Sequence, residues 1–452
     1  MRTRPRNWLL IIGILAAGSA CCDAGMVSTA GKSCPASAVP DSSRLLERVR
    51  VLTQPALAGR GNGTPELLAA ADTIVSWLSA GGIIPGTASG WFQDFPLSGD
   101  DWEGQAGRNV IGLVPGRGDL AGRYIVIGAH YDHLGRVTGQ DPEQVPAAGE
   151  YYPGANDNAS GVAVLQELAR LRASWAAGAE LPEDLERSHD AVSGDSSARS
   201  CLFVAFGAEE IGLQGSVHFV NNLPIPRDSL DAMINFDCVG RLTDDRLYVG
   251  GVGTAAEFGS LVHDANADSL DLALSPGGWA GSDHVAFNTI EVPVLFLFTG
   301  PYVEYNRPED DWLTCSAGDL QRVTAYSYRL LADLAATVAP YTYHFVAQAT
   351  VPTNTETAST RKAWLGTIPD FTTTVEGVQL AGVIEGSPAA RAGLAKGDIL
   401  VSFAGQPVPD LAGFTILLRS HQPGDQVNLE LLRGGKRLHY IVLLADRTER
   451  VH

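Results

Sequence analysis

The sequence predicts an α/β domain, a sheet covered by helices on both faces, followed by a small, mostly-β domain. Three observations predict this. Short apolar runs at 124–129, 201–206, 232–236 and 292–298 lack polar alternation, as strands buried on both faces do. Between the first two runs, Val164, Leu165, Leu168 and Leu171 follow helical spacing, and strands alternating with helices build a sheet packed on both sides. Beyond residue 360 the helical pattern gives way to short strands. There, 427–432 and 438–444 flank Arg433-Gly434-Gly435-Lys436, a hairpin signal.

Composition sets the outer bounds. At roughly 150 residues per domain, 452 residues suffice for two or three domains. With 45% hydrophobic and 18% charged residues the chain is too apolar for a disordered one and too interrupted for a polytopic membrane protein. Its 51 acidic against 32 basic residues leave a net charge of −19, which repels phosphate backbones. Nucleic acid is thereby excluded as an expected partner.

In chain order, Arg2, Arg4 and Arg6 precede an apolar run at 8–17 and the small residues Gly18, Ser19 and Ala20. A basic start, a short apolar core and a small-residue cleavage site mark residues 1–20 as a signal peptide, the run being shorter than the about 20 residues a span needs. Cys21 directly afterwards also fits a lipoprotein anchor. The expected location is therefore periplasmic, extracellular or lipid-anchored at the cell envelope, the anchor being the one expected membrane contact. Residues 21–40 read as a flexible leader. Cys34, Cys201, Cys238 and Cys315 are too scattered for a disulfide framework, although an exported chain could pair two of them.

A first domain spans 41–345. Residues 41–82 read as mostly helical, with Pro65 opening a stretch that ends at Gly81-Gly82. The acidic segment 176–199 reads as an exposed loop, and 320–338 as an amphipathic helix. The Thr/Ser/Pro-containing stretch inside 346–362 reads as a linker. The second domain spans 363–446.

Ligand-type residues stand where each apolar run ends. The first run leads into His130-Tyr131-Asp132-His133, the second into Glu209-Glu210, the third into Asp237. In an open α/β sheet such strand ends converge on one crevice. Asp157, in the loop opening the next helix, faces the same crevice. Singly, each has an ordinary role as a core histidine, a helix cap or a surface carboxylate. Gathered, the carboxylates repel one another unless a cation holds them, and mixed imidazole and carboxylate donors suit zinc.

These motifs carry a resemblance. Gly128-Ala129-His130-Tyr131-Asp132-His133-Leu134-Gly135, the Gly154-Ala155-Asn156-Asp157-Asn158-Ala159-Ser160-Gly161 loop, Phe206-Gly207-Ala208-Glu209-Glu210, Asn235-Phe236-Asp237 and Ser282-Asp283-His284 resemble the M28 family of zinc peptidases. The resemblance implies an aminopeptidase-like mixed sheet and up to two zinc ions. By the same motifs, His130 and Asp237 would bind one ion and Glu210 the other, with Asp157 bridging. Glu209 matches the general base acting on metal-activated water, Asp132 would orient His130, and Ser282, Asp283, His284 and Tyr305 would line the substrate cleft. One position departs from the pattern. In Tyr305-Asn306-Arg307-Pro308-Glu309-Asp310, Asn306 stands where relatives carry a histidine ligand. A neutral amide oxygen suits calcium or magnesium better than zinc, so the second metal site is weakened.

Trp364-Leu365-Gly366-Thr367-Ile368-Pro369 and Gly386-Ser387-Pro388 resemble a PDZ domain of the bacterial protease type. That resemblance implies a loop of Leu365, Gly366, Thr367 and Ile368 presenting N–H groups to a peptide carboxylate, and a strand edge at 378–383 that accepts a peptide or a protein C-terminus. Taken together, the expectation is an exported zinc aminopeptidase acting on peptides, with partner or substrate binding at the PDZ domain. A peptidase-like binding protein that lost turnover with Asn306, and a glutaminyl-cyclase-like transferase, are the alternatives.

Overall fold

The computed structural model describes residues 40–99, 102–136, 151–178, 197–278, 281–346, 363–369, 375, 377–384, 386–409, 414, 417–418 and 421–446. The expected signal peptide, Cys21, most of the leader, most of the acidic segment and most of the linker lie outside them.

Helix α1 (Ser42–Leu52) starts where the Asp41 carboxylate accepts the N–H groups of Ser43 and Arg44. A 3-10 turn, Pro55–Arg60, leads to α2 (Pro65–Ala80), capped by Thr64, with Pro65 at a position needing no N–H and Gly81 at its end. The remaining elements are β1 (Ile84–Pro85), β2 (Phe92–Pro96), β3 (Ala106–Val114), β4 (Tyr124–His130), α3 (Ser160–Ala176), β5 (Ser200–Phe206), α4 (Gln214–Asn221) and β6 (Leu230–Phe236), then β7 (Arg246–Gly250), α5 (Phe258–Asp264), β8 (Asp271–Ser275), α6 (His284–Thr289), β9 (Val294–Phe298) and α7 (Ala317–Ala336). The strands form one mixed sheet in the order β1-β3-β5-β4-β6-β9-β7-β8, with β2 paired to β3. Its centre, β5-β4-β6-β9, is parallel, while β3 pairs antiparallel to β5 and β7 antiparallel to β9.

The continuous apolar runs follow from burial on both sides. Ile125, Ile127 and Ala129 of β4 and Cys201, Phe203 and Ala205 of β5 pack in one core with residues of α1, α2, α3 and α7. Val126, Leu202, Val204 and Phe206 point the other way, against Phe219 of α4 and Phe287 of α6. Neither face of these strands meets water, so nothing selects for alternation.

One reading of the sequence is corrected here. The segment 176–199 is not a loop throughout. Ala176 ends α3, Ala198 bridges to Arg117, and Arg199 is fully buried, its Nε donating to Asp231 Oδ2 at 2.5 Å. That arginine also donates to the carbonyls of Leu334 and Ala339, tying the start of β5 to the end of α7. Among the described residues, Cys201, Cys238 and Cys315 are free and buried.

Residues 363–446 build a separate core around Leu365, Leu380, Leu400, Phe403, Leu429 and Leu431. Its elements are β10 (Ala363–Trp364), β11 (Thr367–Pro369), β12 (Val378–Val383), α8 (Pro388–Ala392), β13 (Ile399–Phe403), β14 (Gln406–Pro407), β15 (Gln426–Arg433), β16 (Lys436–Leu443) and β17 (Ala445–Asp446). The sheet runs β11-β12-β13-β15-β16, with β14 on β13 and β10 paired to β17. The expected accepting edge at 378–383 is corrected by this order. β12 is paired on one side with β11 and on the other with β13, so the outer edge on that side belongs to β11. No helix among the described residues is long and apolar enough to cross a membrane.

Candidate metal centre

The four parallel strands end at one side of the sheet, and each end delivers a donor. β4 finishes on His130, β5 runs into Glu209-Glu210, β6 into Asp237, and β9 into the turn carrying Tyr305 and Asn306. His130 Nε2 lies 3.2 Å from Asp157 Oδ1 and 3.5 Å from Asp237 Oδ1. One donor atom each from His130, Asp157 and Glu210 falls within 4.8 Å of the others, and so does one each from Asp157, Asp237 and Cys238.

The sequence around Asp157 exists to aim it. Gly154 to Ala159 form a wide turn before α3, with a cis peptide bond after Asp157. Asn156 Oδ1 accepts Gly240 N–H at 2.7 Å, Asn158 Nδ2 donates to the Phe236 carbonyl at 2.8 Å, and Ser160 Oγ accepts Val239 N–H. Asn156, Asn158 and Ser160 therefore clamp the chain just after β6, and this brings Asp157 beside Asp237. Gly161 is required because a Cβ there would stand 2.7 Å from the Phe236 carbonyl oxygen. Asp310, four residues past Asn306 in a loop, accepts the N–H groups of Asn156 (3.0 Å) and Asp157 (3.1 Å), and the Tyr302 hydroxyl.

Asp132 does more than its expected part. Its carboxylate accepts the N–H groups of Glu209 (3.1 Å) and Glu210 (3.2 Å) and the amide of Asn62 (2.8 Å). It meets His130 Nδ1 through its main-chain carbonyl at 3.2 Å, while the nearest carboxylate oxygen is 3.8 Å away. The carboxylate thus positions the glutamate pair. Ser282, Asp283 and His284 are fully buried and do not present an open cleft wall. Ser282 Oγ donates to Asp237 Oδ2 at 2.7 Å and is itself held by Asn235, which makes it a positioning group for Asp237. His284 stacks on Phe296, and neither of its ring nitrogens finds a hydrogen bond among the described residues. Tyr305 is about half exposed, and Asn306 lies in the left-handed region with its amide oxygen buried and without a hydrogen-bond partner among the described residues.

Three residues had no assigned part in the sequence reading. His133 Nδ1 lies 2.6 Å from Glu210 Oε1, and burial holds this imidazole down at about 4, so it stays neutral and donates to the carboxylate. Arg60 is fully buried and donates to the carbonyls of Leu52, Tyr131, Pro153 and Gly154 at 2.7–2.8 Å. Asn62 anchors Asp132. The signals for His133 and Asn62 were their residue types; their partners are remote in sequence.

The electrostatics are those of a centre built for a cation. Burial, with Glu210 and Asp237 nearby, pushes the Glu209 carboxyl well above its usual range, and burial with Glu210 raises Asp157. Burial also raises Asp283, to about 7. Burial would raise Asp237 too, but His130 and the Ser282 hydroxyl outweigh it and hold that carboxyl low. Burial followed by Asp157 and Asp237 keeps the Cys238 thiol far above its ordinary value. Donors crowded this way, one imidazole among oxygen ligands, fit zinc.

A mixed sheet gathering such a donor set at its parallel strand ends defines a zinc-peptidase-like domain, and comparison with known proteins agrees. Residues 109–331 match the model of peptidase family M28, and residues 357–444 match the PDZ domain. The chain is 29% identical to the aminopeptidase YwaD of Bacillus subtilis over 49% of this chain and 45% of that one. It is 31% identical to a probable zinc metalloprotease of Leptosphaeria maculans over 49% of this chain and 53% of that one. The matched stretch thus spans only about half the length of these curated relatives. A solved structure described as a zinc aminopeptidase from Bacillus subtilis superposes with a TM-score of 0.50 at 17% identity, covering 66% of this chain and 95% of that one, which establishes the shared fold.

Proposed function

We propose that this chain is an exported, zinc-dependent aminopeptidase, and the observation that carries the reading is the buried convergence of His130, Asp157, Asp237 and Glu210 beside Glu209. His130, Asp157, Asp237 and Glu210 would hold zinc, with Asn306 a weak donor at the position of a usual histidine. Zinc, when bound, supplies a Lewis acid that acidifies water and polarises the scissile carbonyl. Glu209 takes the proton from the attacking water and delivers it to the departing amine, and burial raises its carboxyl above the usual carboxylate range. Asp132 fixes the Glu209 main chain, and Ser282 and Asp310 keep Asp237 and Asp157 in place. The surplus of carboxylates favours a substrate with a free α-amino group.

The leader 1–20 supports export. In the PDZ domain, a peptide would add to the outer edge of β11, with its carboxylate at the loop of Leu365, Gly366, Thr367 and Ile368. Asn306 supports a second reading, a binding protein without turnover. The two separate on one experiment. Hydrolysis of a panel of aminoacyl chromogenic substrates is expected to require zinc and to fall by about 10²–10⁴-fold in Glu209→Gln at unchanged zinc content. No hydrolysis by zinc-loaded wild type, with recovery in Asn306→His, leaves only the binding reading.

A further inference from the structure

One donor-type side chain at the centre, Cys238, has no part in the motif reading. Cys238 follows Asp237 directly and is buried, and its Sγ lies 3.3 Å from Asp237 Oδ1. Its main chain is held on both sides. The N–H donates to Asn158 Oδ1, and the carbonyl accepts both the N–H and the hydroxyl of Thr299. The main chain that carries the thiol beside the carboxylates is therefore fixed.

The spacings match donors that share an ion. With zinc bonds of about 2.0 Å to nitrogen or oxygen and 2.3 Å to sulfur, tetrahedral neighbours stand about 3.3 Å apart for N/O pairs and about 3.5 Å for S/O pairs. The observed edges are 3.2 Å for His130 Nε2 to Asp157 Oδ1, 3.5 Å for His130 Nε2 to Asp237 Oδ1 and 3.3 Å for Cys238 Sγ to Asp237 Oδ1. Two three-donor groups emerge, His130–Asp157–Glu210 and Asp157–Asp237–Cys238, joined at Asp157. The Asn306 amide oxygen, on the turn that departs from the histidine pattern, is buried and lacks a hydrogen bond among the described residues.

We propose that Cys238 is a metal ligand of this centre, its thiolate completing a zinc site with Asp157 and Asp237. The proposal rests on the zinc-centre reading above and adds a donor that the motif resemblance does not supply. On ligation the S–H bond is replaced by a sulfur–zinc bond and the proton leaves to solvent. A soft thiolate suits zinc far better than the amide of Asn306 does.

Cobalt(II) titration of the metal-stripped full chain tests this without reference to turnover. Wild type is expected to show a near-ultraviolet thiolate-to-cobalt charge-transfer band together with visible d–d bands. Cys238→Ala and Cys238→Ser are expected to keep the d–d bands, lose the charge-transfer band and bind zinc at least about tenfold more weakly in competition with a chelator. Visible bands in wild type without charge transfer, or a charge-transfer band that survives both substitutions, would overturn the assignment of Cys238 and leave the metal centre standing. No bound cobalt at all would overturn the zinc-centre reading itself, and with it the proposal. Since wild type alone can deliver either of the overturning spectra, misfolding of a variant does not protect the idea.

Discussion

Replacing Arg60 by methionine keeps the length and apolar stem of the side chain but removes four hydrogen bonds to main-chain carbonyls. These carbonyls belong to the end of α1 (Leu52), the residue after β4 (Tyr131) and the approach to the Asp157 turn (Pro153, Gly154), so one guanidinium joins three segments around the metal centre. Burial depresses Arg60 to about 10, which leaves it charged at neutral pH, facing Asp157 and Asp132. At about 1 kcal/mol for each buried acceptor deprived of its donor, the loss is about 4 kcal/mol. Relief of the cost of burying the cation offsets part of this, leaving about 3 kcal/mol, a large share of the stability of an ordinary domain. Lysine would keep the charge yet lacks the planar fork that reaches four separated oxygens, so Arg60→Lys should recover less than half. Urea unfolding followed by circular dichroism, fitted to separate transitions for the two domains, measures the change at constant slope. A loss below about 1 kcal/mol for Arg60→Met, or full rescue by lysine, would refute the view that the four-way clamp organises the site.

Three further outcomes are expected. Ser282→Ala removes the hydroxyl that holds Asp237 Oδ2 and should weaken zinc binding by roughly 10–100-fold, read by chelator competition, with little change in the far-ultraviolet spectrum; unaltered affinity would mean that Asp237 needs no such support. His284 is held down to about 3 by burial, so its folded value lies below its unfolded one of 6.5, and stability present above that value is lost as pH falls toward 3. His284→Phe keeps the stacking on Phe296 and should gain about 3 kcal/mol on wild type at about pH 4 relative to neutral pH, a difference in which the opposite slope from Asp283 cancels; parallel stability–pH curves would count against it. In Gly366→Ala, a backbone at φ +77° and a Cβ placed 2.1 Å from that of Ser387 should cost the PDZ domain about 1–3 kcal/mol, seen in its own thermal transition and not in that of the larger domain.

Much of the architecture was legible in the linear chain. Buried parallel strands declare themselves because both of their faces are apolar, which is why the four runs ending near His130, Glu209, Asp237 and Tyr305 could be read directly. Strand β3 could not be read so, because Asn109 sits fully buried within it, its amide bonded to Gln93, Gly207 and Gly215, partners that no local pattern reveals. The short strands β7 and β8, at five residues each, are too brief for a period to show.

The donor types at the centre were likewise determined by the sequence, because each motif ends a strand and the topology of an α/β sheet gathers such ends. What each side chain does there was decided only by tertiary structure. Asp132 serves the glutamate pair and touches His130 by its carbonyl, Ser282 stands behind Asp237, and Arg60 and His133 hold carbonyls and a carboxylate that lie far off along the chain. A hydrogen bond depends on directions and on distances of about 3 Å, and sequence periodicity carries neither. In the same way the pattern of the C-terminal strands announced a small β domain, while the pairing of β12 on both sides, which leaves β11 at the edge, arose from the order in which the folded strands lie.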